Sequence, residues 1–261
     1  MNNVNKTLYI PLYGKAKVSK LGLFYSDPTA ESIWEREGFP LKGKSASKWL
    51  AYYMAMRSAA FDRWAEEILR AHPDAVVLHI GCGLDSRVRR IDTGNALWYD
   101  IDFPDVIAER KRYFAETDTC RMLSCDMRSD SWKEIIPQNR DTVVILEGVT
   151  MYFTKEELTA LFSSLCDHAA SLSLLADFYT EGAAKASKYK NPINDVGVTT
   201  VYGWDHPEDL AAASGLTLVA EHSLTPEEYI VRLPRRDQWI FRHVFAGSFA
   251  NKLYRLYEFR K

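Results

Sequence analysis

Short apolar runs alternate with longer mixed stretches through the middle of the chain, and this alternation limits the fold more than any other feature. The runs lie at 75–80 (AVVLHI), 96–101 (ALWYDI), 121–125 (RMLSC), 142–146 (TVVIL) and 171–176 (SLSLLA). Strands that are apolar on both faces and alternate with helices are typical of a parallel sheet covered on both sides. The chain is therefore predicted to be an α/β protein.

Helices are expected between and before these strands. One is predicted over 104–116 and another over 155–170, where Thr154 and Glu157 have the spacing of a capping box. A long helix is predicted over 45–71, because large apolar side chains recur there at helical spacing. This helix would belong to an N-terminal helical cap over 1–72, followed by an α/β domain over 73–261, the two forming one compact unit.

The last third of the chain is expected to complete the sheet. Strands are predicted over 216–224 and 252–259, pairing at the edge of the sheet and framing a helix over 235–249. The polar segment 178–204 has few candidate core residues. It is therefore predicted to be an insertion that lies over the sheet, on the acceptor side, before the last two strands.

Composition excludes several functional classes. The 261 residues carry a formal net charge of -2, which does not favour nucleic acid or an anionic membrane as a partner. No apolar run approaches the roughly 20 residues that span a bilayer. The opening MNNVNKTLYIPLYGK lacks the apolar core of a signal peptide, and the four cysteines form no CxxC pair. We therefore expect a cytoplasmic protein with reduced thiols; its oligomeric state stays open.

The first strand is followed by a glycine turn. Gly81 and Gly83 permit tight turning and close approach of a ligand, since neither has a Cβ atom. The dinucleotide fingerprint needs Gly or Ala at the sixth position, where this chain has Ser86, and Asp85 would repel a pyrophosphate. The turn therefore disfavours NAD and favours S-adenosylmethionine, which has hydroxyl, amino and ring donors but no phosphate. Acidic residues at the predicted strand ends suit such donors.

The string HIGCGLDSR over 79–87 resembles the LGAGLDTR signature of the leucine carboxyl methyltransferase superfamily, which includes the tetracenomycin-type polyketide O-methyltransferases. The resemblance implies a Rossmann-like class I methyltransferase sheet of seven strands with helices on both faces. It also implies an S-adenosylmethionine-dependent O-methyltransferase of the bacterial small-molecule branch. Further segments are similar in order and spacing: YDIDFP (99–104), CDMR (125–128), EGVTMY (147–152) and PLYGKA (11–16), with Arg57 and Asp62 on the long helix.

The resemblance implies where the adenosine part of the cofactor would bind. Asp102 would accept hydrogen bonds from the ribose hydroxyls, with Asp100 as the alternative. Asp126 would accept from the adenine amino group, and the Met127 backbone amide would lie at the ring. Gly81 and Gly83 would pack under the ligand. The structural alternative for both aspartates is capping of the loop after a strand.

The resemblance also implies a site for the methionine part. Glu147 would bind the ammonium group, and Arg57 would pair with the carboxylate, for which a guanidinium is geometrically suited. Lys15 is a second candidate for that carboxylate, although the matching lysine could be Lys17. The structural alternatives are a surface ion pair for Arg57 and a salt bridge from Glu147 to Lys155 or Arg140.

Neighbouring polar residues are assigned structural roles. Asp85 and Arg87 are expected to brace the glycine turn, and His79 to be a hydrogen-bonded core residue. Cys82 is expected to be a small side chain packed under the cofactor.

The acceptor is less defined than the cofactor. Tyr152, Tyr179 and Tyr202 are candidates for the acceptor pocket, and His206, His222 and His243 are candidate bases among which the sequence does not choose. No catalytic residue is assigned, and both a carboxylate and a hydroxyl acceptor stay open. On charge alone, the basic stretch 232–236 could attract a carboxylated acceptor.

Four other functions compete with a small-molecule O-methyltransferase. An NAD(P)-dependent oxidoreductase conflicts with Ser86, and a nucleic-acid methyltransferase lacks an NPPY-like or DPPY-like motif after the fourth strand. A module that binds the cofactor without turnover and a protein carboxyl methyltransferase stay as alternatives to a small-molecule enzyme.

Overall fold

A computed structural model of the chain describes residues 8–38, 41, 43–190, 200–247 and 252–261. Its centre is a seven-stranded sheet in the order β3-β2-β1-β4-β5-β7-β6. The first five strands are parallel, and β7 is antiparallel to both of its neighbours. Their bounds are β1 Val76–Ile80, β2 Leu97–Asp102, β3 Cys120–Ser124, β4 Asp141–Leu146, β5 Ser171–Tyr179, β6 Thr217–His222 and β7 Tyr254–Arg260. The predicted seven-stranded α/β sheet is confirmed.

Ten α-helices are described around this sheet. They are α1 Tyr9–Lys20, α2 Pro28–Glu37, α3 Lys48–Ala71, α4 Arg87–Arg90, α5 Pro104–Arg110, α6 Lys155–His168, α7 Glu181–Lys190, α8 Pro207–Ala213, α9 Glu227–Ile230 and α10 Arg235–Ile240. Within the described residues, none of the helices combines the length and the apolar composition that a bilayer crossing requires.

Both faces of the sheet are covered, because successive side chains of β4 point in opposite directions. Val144 packs with α6 through Leu158 and Phe162. Val143 packs on the other face with Phe61 and Trp64 of α3. The predicted capping box begins α6: Thr154 accepts from the Glu157 amide at 3.2 Å, and the Glu157 carboxylate accepts from the Thr154 amide at 2.9 Å.

The helices α1, α2 and α3 form the N-terminal cap. α1 packs closely along α3, since a Cβ on Gly14 would lie 2.7 Å from the Met54 Cβ. Its Leu12 and Ala16 share a core with Cys82 and Leu84 of the glycine turn. The cap thus reaches the carboxyl ends of the strands as well as one face of the sheet. The division of the chain at residue 72 stays a prediction.

Several predicted bounds are wrong. α5 ends at Arg110 rather than 116, because the amides of Arg112 and Tyr113 donate to carbonyls three residues back, at 3.1 and 3.0 Å, rather than four. α3 begins at Lys48 rather than 45, with Ser47 as its N-cap. The predicted helix over 235–249 is α10 followed by a π-helical turn, Phe241–Phe245. The end of that prediction, at 248–249, lies outside the described residues.

The predicted insertion over 178–204 is partly strand. β5 continues to Tyr179, because β7 pairs with it along its whole second half. α7 follows, and residues 191–199 lie outside the described chain. The segment then returns to the sheet, where the Tyr202 amide donates to the Met151 carbonyl at 2.8 Å and the Trp204 amide to the Tyr179 carbonyl at 2.7 Å.

Candidate active site

A cavity of about 820 Å³ opens at the carboxyl ends of β1, β2, β4 and β5. In an open α/β sheet this edge is where ligands bind. The favoured cofactor and acceptor candidates line this cavity: Lys15, Arg57, Gly81, Gly83, Asp102, Asp126, Met127, Glu147, Tyr152, Tyr179 and Tyr202.

The glycine turn forms the floor of the cavity. Gly81 and Gly83 have φ values of +70° and +50°, a region that side chains with a Cβ rarely adopt. A Cβ on Gly81 would also lie 2.3 Å from the Val149 Cγ2 atom. The two glycines therefore allow the turn after β1 to pack closely against the loop after β4.

Asp102 holds the turn in place. Its carboxylate accepts from the Gly83 amide at 2.9 Å and from the Phe103 amide at 2.8 Å. Burial raises the pKa of Asp102 in spite of these two hydrogen bonds. The Asp102 side chain also lines the cavity.

Asp100, the alternative to Asp102, lies outside the cavity lining and is fully engaged. Its carboxylate is 2.6 Å from Arg110 Nη2, 3.0 Å from His79 Nδ1 and 2.9 Å from Trp98 Nε1. Burial opposes ionisation of Asp100, but Arg110 and His79 outweigh it and lower the pKa. His79 is thereby the hydrogen-bonded core residue that the sequence predicted.

Glu147 lies among cations at the end of β4. Its carboxylate is 3.2 Å from Arg57 Nε, 4.0 Å from Lys15 Nζ and 2.5 Å from Arg87 Nη2. Burial would raise its pKa, but Lys15, Arg87 and Arg57 together lower it to about 2. Glu147 is therefore a buried carboxylate that stays ionised.

The salt-bridge partners suggested for Glu147 by sequence are wrong. Lys155 pairs with Glu181 at 2.7 Å, and Arg140 donates to the Asp74 carbonyl at 2.9 Å. Arg57 is likewise no surface residue: its Nη1 atom also lies 3.3 Å from the Asp177 carboxylate. The tertiary fold, rather than sequence proximity, selects these pairs.

A second layer of charges braces the turn, as predicted for Asp85 and Arg87. Arg87 is completely buried, and its guanidinium lies 2.9 Å from the Asp85 carboxylate and 2.6 Å from that of Asp62. Sequence reasoning missed Arg90 and Arg110. Arg110 donates to the carbonyls of Gly83 at 3.0 Å and Asp85 at 2.7 Å. The sequence contains one signal for Arg90: it lies three residues after Arg87, a spacing that places two side chains on one face of a helix. In the structure both guanidinium groups pair with Asp62.

The loop after β3 forms another wall. Asp126 pairs with Arg128 at 2.7 Å, and a hydrogen bond from Arg128 lowers its pKa. Met127 is buried between them, with 5% of its surface exposed. All three residues line the cavity, so this wall has both a carboxylate and an apolar part.

Another wall of the cavity is apolar and rich in tyrosine. Tyr152, Tyr179 and Tyr202 line it, as do two tyrosines that sequence reasoning missed, Tyr53 and Tyr254. The Tyr179 and Tyr254 rings are 4.7 Å apart. Leu50, Met54, Val244, Phe245 and Leu253 complete this wall.

The candidate bases and the basic stretch do not reach this cavity. Among the described residues, His206, His222, His243, Arg235 and Arg236 are all absent from its lining. His222 instead lies 2.8 Å from Glu258. The hypothesis that residues 232–236 attract an acceptor into the cavity is therefore unsupported by the structure.

The donor set fits S-adenosylmethionine. The glycine turn contains the carboxylate of Asp85 at the place where a dinucleotide would bind its pyrophosphate, so the turn disfavours a dinucleotide. Cationic and carboxylate side chains both line the cavity, which suits the amino-acid part of S-adenosylmethionine. The sheet order, with an antiparallel seventh strand between the fifth and sixth, completes the description of a class I S-adenosylmethionine-dependent methyltransferase.

The comparisons with known proteins agree. The model of the leucine carboxyl methyltransferase family matches residues 14–166, so the chain belongs to that family. It is 28% identical to the tetracenomycin polyketide synthesis O-methyltransferase TcmP of Streptomyces glaucescens, over 98% of this chain and 97% of the relative. It is 24% identical to the S-adenosyl-L-methionine-dependent methyltransferase dpfgK of Gibberella zeae, over 80% and 78% of the two chains.

Solved structures share the fold. Magnesium protoporphyrin IX methyltransferase from Synechocystis, with bound SAH, has a TM-score of 0.54 at 15% identity and covers 95% of this chain and 99% of that one. A methyltransferase structure from Thermobifida fusca has a TM-score of 0.55 at 14% identity, with 95% and 94% coverage. The chain is thus an S-adenosylmethionine-dependent methyltransferase, and an NAD(P)-dependent oxidoreductase is excluded.

Proposed function

We propose that this enzyme transfers a methyl group from S-adenosylmethionine to a carboxylate or hydroxyl oxygen of a small molecule. One observation carries the proposal: a single cavity is lined both by charged residues at the glycine turn and by an apolar, tyrosine-rich wall. The charged residues suit the cofactor, and the apolar wall suits an organic acceptor. The name of the relative TcmP, an O-methyltransferase of polyketide synthesis, supports the same assignment.

The adenosine part would be held by the turn and the loop after β3. Asp102 would accept from the ribose hydroxyls; the saturation of Asp100 by three donors supports this choice. Asp126 would accept from the adenine amino group, with the Met127 amide at the ring. Gly81 and Gly83 would allow close approach.

The methionine part would meet the cluster around Glu147. Glu147 would bind the ammonium group, while Arg57 and Lys15 would pair with the carboxylate. Arg57 and Glu147 lie 3.2 Å apart, so each keeps the other side chain ionised and in position before a zwitterionic ligand binds. Such fixed charges in a buried site need little reorganisation on binding.

The cofactor supplies a methyl group on a sulfonium, and the protein must place an acceptor oxygen in line with it. Holding the reactants in this geometry can contribute about 7–11 kcal/mol. Tyr152, Tyr179 and Tyr202 would line the acceptor and exclude water. We propose no nucleic-acid or membrane partner, and a cytoplasmic location is in keeping with four free, buried cysteines.

Thermal unfolding with S-adenosylhomocysteine, S-adenosylmethionine and NADH tests the cofactor assignment. A ligand at a hundredfold its Kd stabilises the folded state by about 2.7 kcal/mol. We expect this shift with both adenosyl ligands, no shift with NADH, and loss of the shift in Asp102→Asn and Glu147→Gln.

Asp141→Asn is the matched control, because Asp141 begins β4 at the opposite edge of the sheet. An unchanged shift in Glu147→Gln would contradict the assigned role. Release of S-adenosylhomocysteine during incubation with candidate acceptors would separate an enzyme from a module that binds without turnover.

A further inference from the structure

The ion pairs beneath the glycine turn form one connected network that contains more carboxylates than cations. Each member lies within 4.0 Å of a partner of opposite charge, and no member has a side chain that is more than 14% exposed. Within the described residues the cations are Lys15, Arg57, Arg87 and Arg90, and the carboxylates are Asp27, Asp62, Asp85, Glu147 and Asp177. When all five carboxylates are ionised, the network therefore has one negative charge in excess.

His79 and the ion pair of Asp100 with Arg110 border this network without changing its charge. The Nδ1 atom of His79 lies 3.0 Å from the Asp100 carboxylate, and its Nε2 atom lies 3.3 Å from Arg87 Nη1. Because a guanidinium can only donate, Nε2 accepts and Nδ1 holds the single ring proton, so His79 is neutral. Asp100 and Arg110, 2.6 Å apart, have opposite charges that cancel. The negative charge in excess therefore belongs to the network itself.

Asp177, near the end of β5, brings this excess charge next to the cavity. It is completely buried, and its Oδ1 atom accepts from the Gly148 amide at 2.7 Å. Its Oδ2 atom lies 3.3 Å from Arg57 Nη1, and among the described residues Arg57 is its one cationic partner. That guanidinium is shared, since its Nε atom also lies 3.2 Å from Glu147. One cation thus serves two carboxylates, and the charge of Asp177 is only partly compensated.

The neighbours of Asp177 face the place proposed for the methionine part of the cofactor. Arg57, Glu147 and Gly148 line the cavity, and so does Tyr254, whose hydroxyl accepts from Arg57 Nη1 at 3.4 Å. Asp177 itself lies behind this lining, so it has no direct contact to offer a ligand. A partly compensated charge in a buried site nevertheless acts across several ångströms, because little water is present to screen it.

We propose that Asp177 is a specificity-determining residue for the methyl donor, whose carboxylate makes the cavity favour a sulfonium over an uncharged thioether. Methyl transfer leaves the ammonium and carboxylate of the donor unchanged. The C–S bond breaks, its electron pair stays on sulfur, and sulfur thereby loses its positive charge. The network with excess negative charge therefore attracts S-adenosylmethionine more strongly than S-adenosylhomocysteine, and this part of the attraction ends with the reaction. The inference rests on the cofactor site given under the proposed function.

The surroundings of Asp177 make this preference depend on pH. The groups around it are Arg57 and Tyr53 from α3, Glu147 after β4, Tyr179 on its own strand and Tyr254 from β7. Burial raises the pKa of Asp177 to about 6, although Arg57 lowers it. Cations lower the pKa of Glu147 to about 2, and burial raises those of Tyr53 and Tyr254, so these three keep their charge near pH 6. The excess negative charge is therefore absent below about pH 6 and present above it.

Sinefungin and S-adenosylhomocysteine are matched probes that need no turnover. Sinefungin has a protonated amino group where S-adenosylmethionine has its methyl sulfonium, whereas the sulfur of S-adenosylhomocysteine is uncharged. Calorimetric titration of the full chain at a series of pH values gives the ratio of the two Kd values. We expect the preference of the wild type for sinefungin to increase about tenfold from pH 5 to pH 7.5, as one charge acting across several ångströms implies. In Asp177→Asn the preference should stay at the wild-type value of pH 5.

Two variants separate the charge of Asp177 from a structural role. Tyr254→Phe removes a neutral partner of Arg57, so it should change both Kd values by the same factor and keep the pH dependence. Asp141→Asn removes a carboxylate at the opposite edge of the sheet and should keep the wild-type ratio at every pH.

The outcomes distinguish this inference from the function on which it rests. A wild-type preference that does not increase with pH, an unchanged pH dependence in Asp177→Asn, or its loss in Tyr254→Phe would overturn the inference alone. Failure of the wild type to bind either probe would overturn the proposed cofactor site as well. If Asp177→Asn does not fold, the pH profile of the wild type with the two probes decides.

Discussion

Two aspartates that lie two residues apart on β2 have different surroundings in the folded chain. Asp100 meets Arg110, His79 and Trp98, while Asp102 meets two backbone amides and the cavity. The sequence predicts both at the carboxyl ends of the strands, where the structure has them. It left Asp100 as an alternative, because its three donors come from separate elements that meet only in the folded chain.

The raised pKa of the buried Asp177 carboxyl can be tested without a ligand. Its pKa is about 6 in the folded state against 3.8 ordinarily, so the folded state binds more protons between these values. The stability contributed by this group is present below pH 3.8 and is lost as pH rises through about 6. Relative to wild type, Asp177→Asn should therefore gain about 3 kcal/mol of unfolding free energy from pH 3.5 to pH 7.

Urea denaturation at a series of pH values measures this difference. Asp141→Asn is a control, because the pKa of that exposed carboxyl is lowered, chiefly by a hydrogen bond from Ser171. Its difference from wild type should change in the opposite direction. A difference for Asp177→Asn that does not depend on pH would show that the pKa of Asp177 is the same in the folded and the unfolded state.

At the scale of elements, the five parallel strands were predicted to within one or two residues at their starts. Each is a short apolar run bounded by residues that favour turns, so local composition determines it. The end of β5 at Tyr179 and the π-helical turn Phe241–Phe245 were not predictable in this way. The end of β5 depends on pairing with β7, which is far along the chain. The π-helical turn packs the Phe245 ring on the Trp49 ring of α3, with 5.3 Å between the ring centroids.

The close packing of α1 on α3 gives a second prediction. Gly14→Ala would place a Cβ 2.7 Å from the Met54 Cβ, so α1 must move away from α3. Lys15 would move with it, and we expect a loss of about 1–3 kcal/mol in stability together with weaker binding of S-adenosylhomocysteine. Calorimetric titration and thermal unfolding measure the two effects.

Gly182→Ala is the corresponding control in α7, since a Cβ there has no neighbour within 4 Å. Alanine is also favoured over glycine in a helix, so this variant should be as stable as wild type or slightly more stable. An equal response of the two variants would mean that the contact between α1 and α3 does not position Lys15.

At the scale of the whole molecule, the cap and the sheet share one interior. Phe61 and Trp64 of α3 pack with Val77 and Val143 of the sheet. Asp62 of α3 also pairs with Arg87 and Arg90 after the glycine turn, at 2.6 Å in each case. Sequence predicted one compact unit, although it could not show these buried ion pairs.

This shared interior predicts a single unfolding transition. Far-ultraviolet circular dichroism, which reports helices, and tryptophan fluorescence should change at the same urea concentration, because neither part keeps a complete core without the other. Truncation at residue 72 would expose the α3 face of the sheet, so the shortened chain should fail to fold. Two separate transitions would instead show that residues 1–72 form an independent domain.

The antiparallel β7 has a consequence for how such an enzyme can change. The sheet places the proposed cofactor contacts on the β1, β2, β3 and β4 side and on the cap, whereas Tyr179 and Tyr254 come from the β5–β7 pair. The family model accordingly matches residues 14–166 and ends before β5. On the proposed assignment, we expect substitutions in the last third of the chain, other than at Asp177, to alter which molecule is methylated while the methyl donor stays the same, and a directed-evolution library for a new acceptor belongs there.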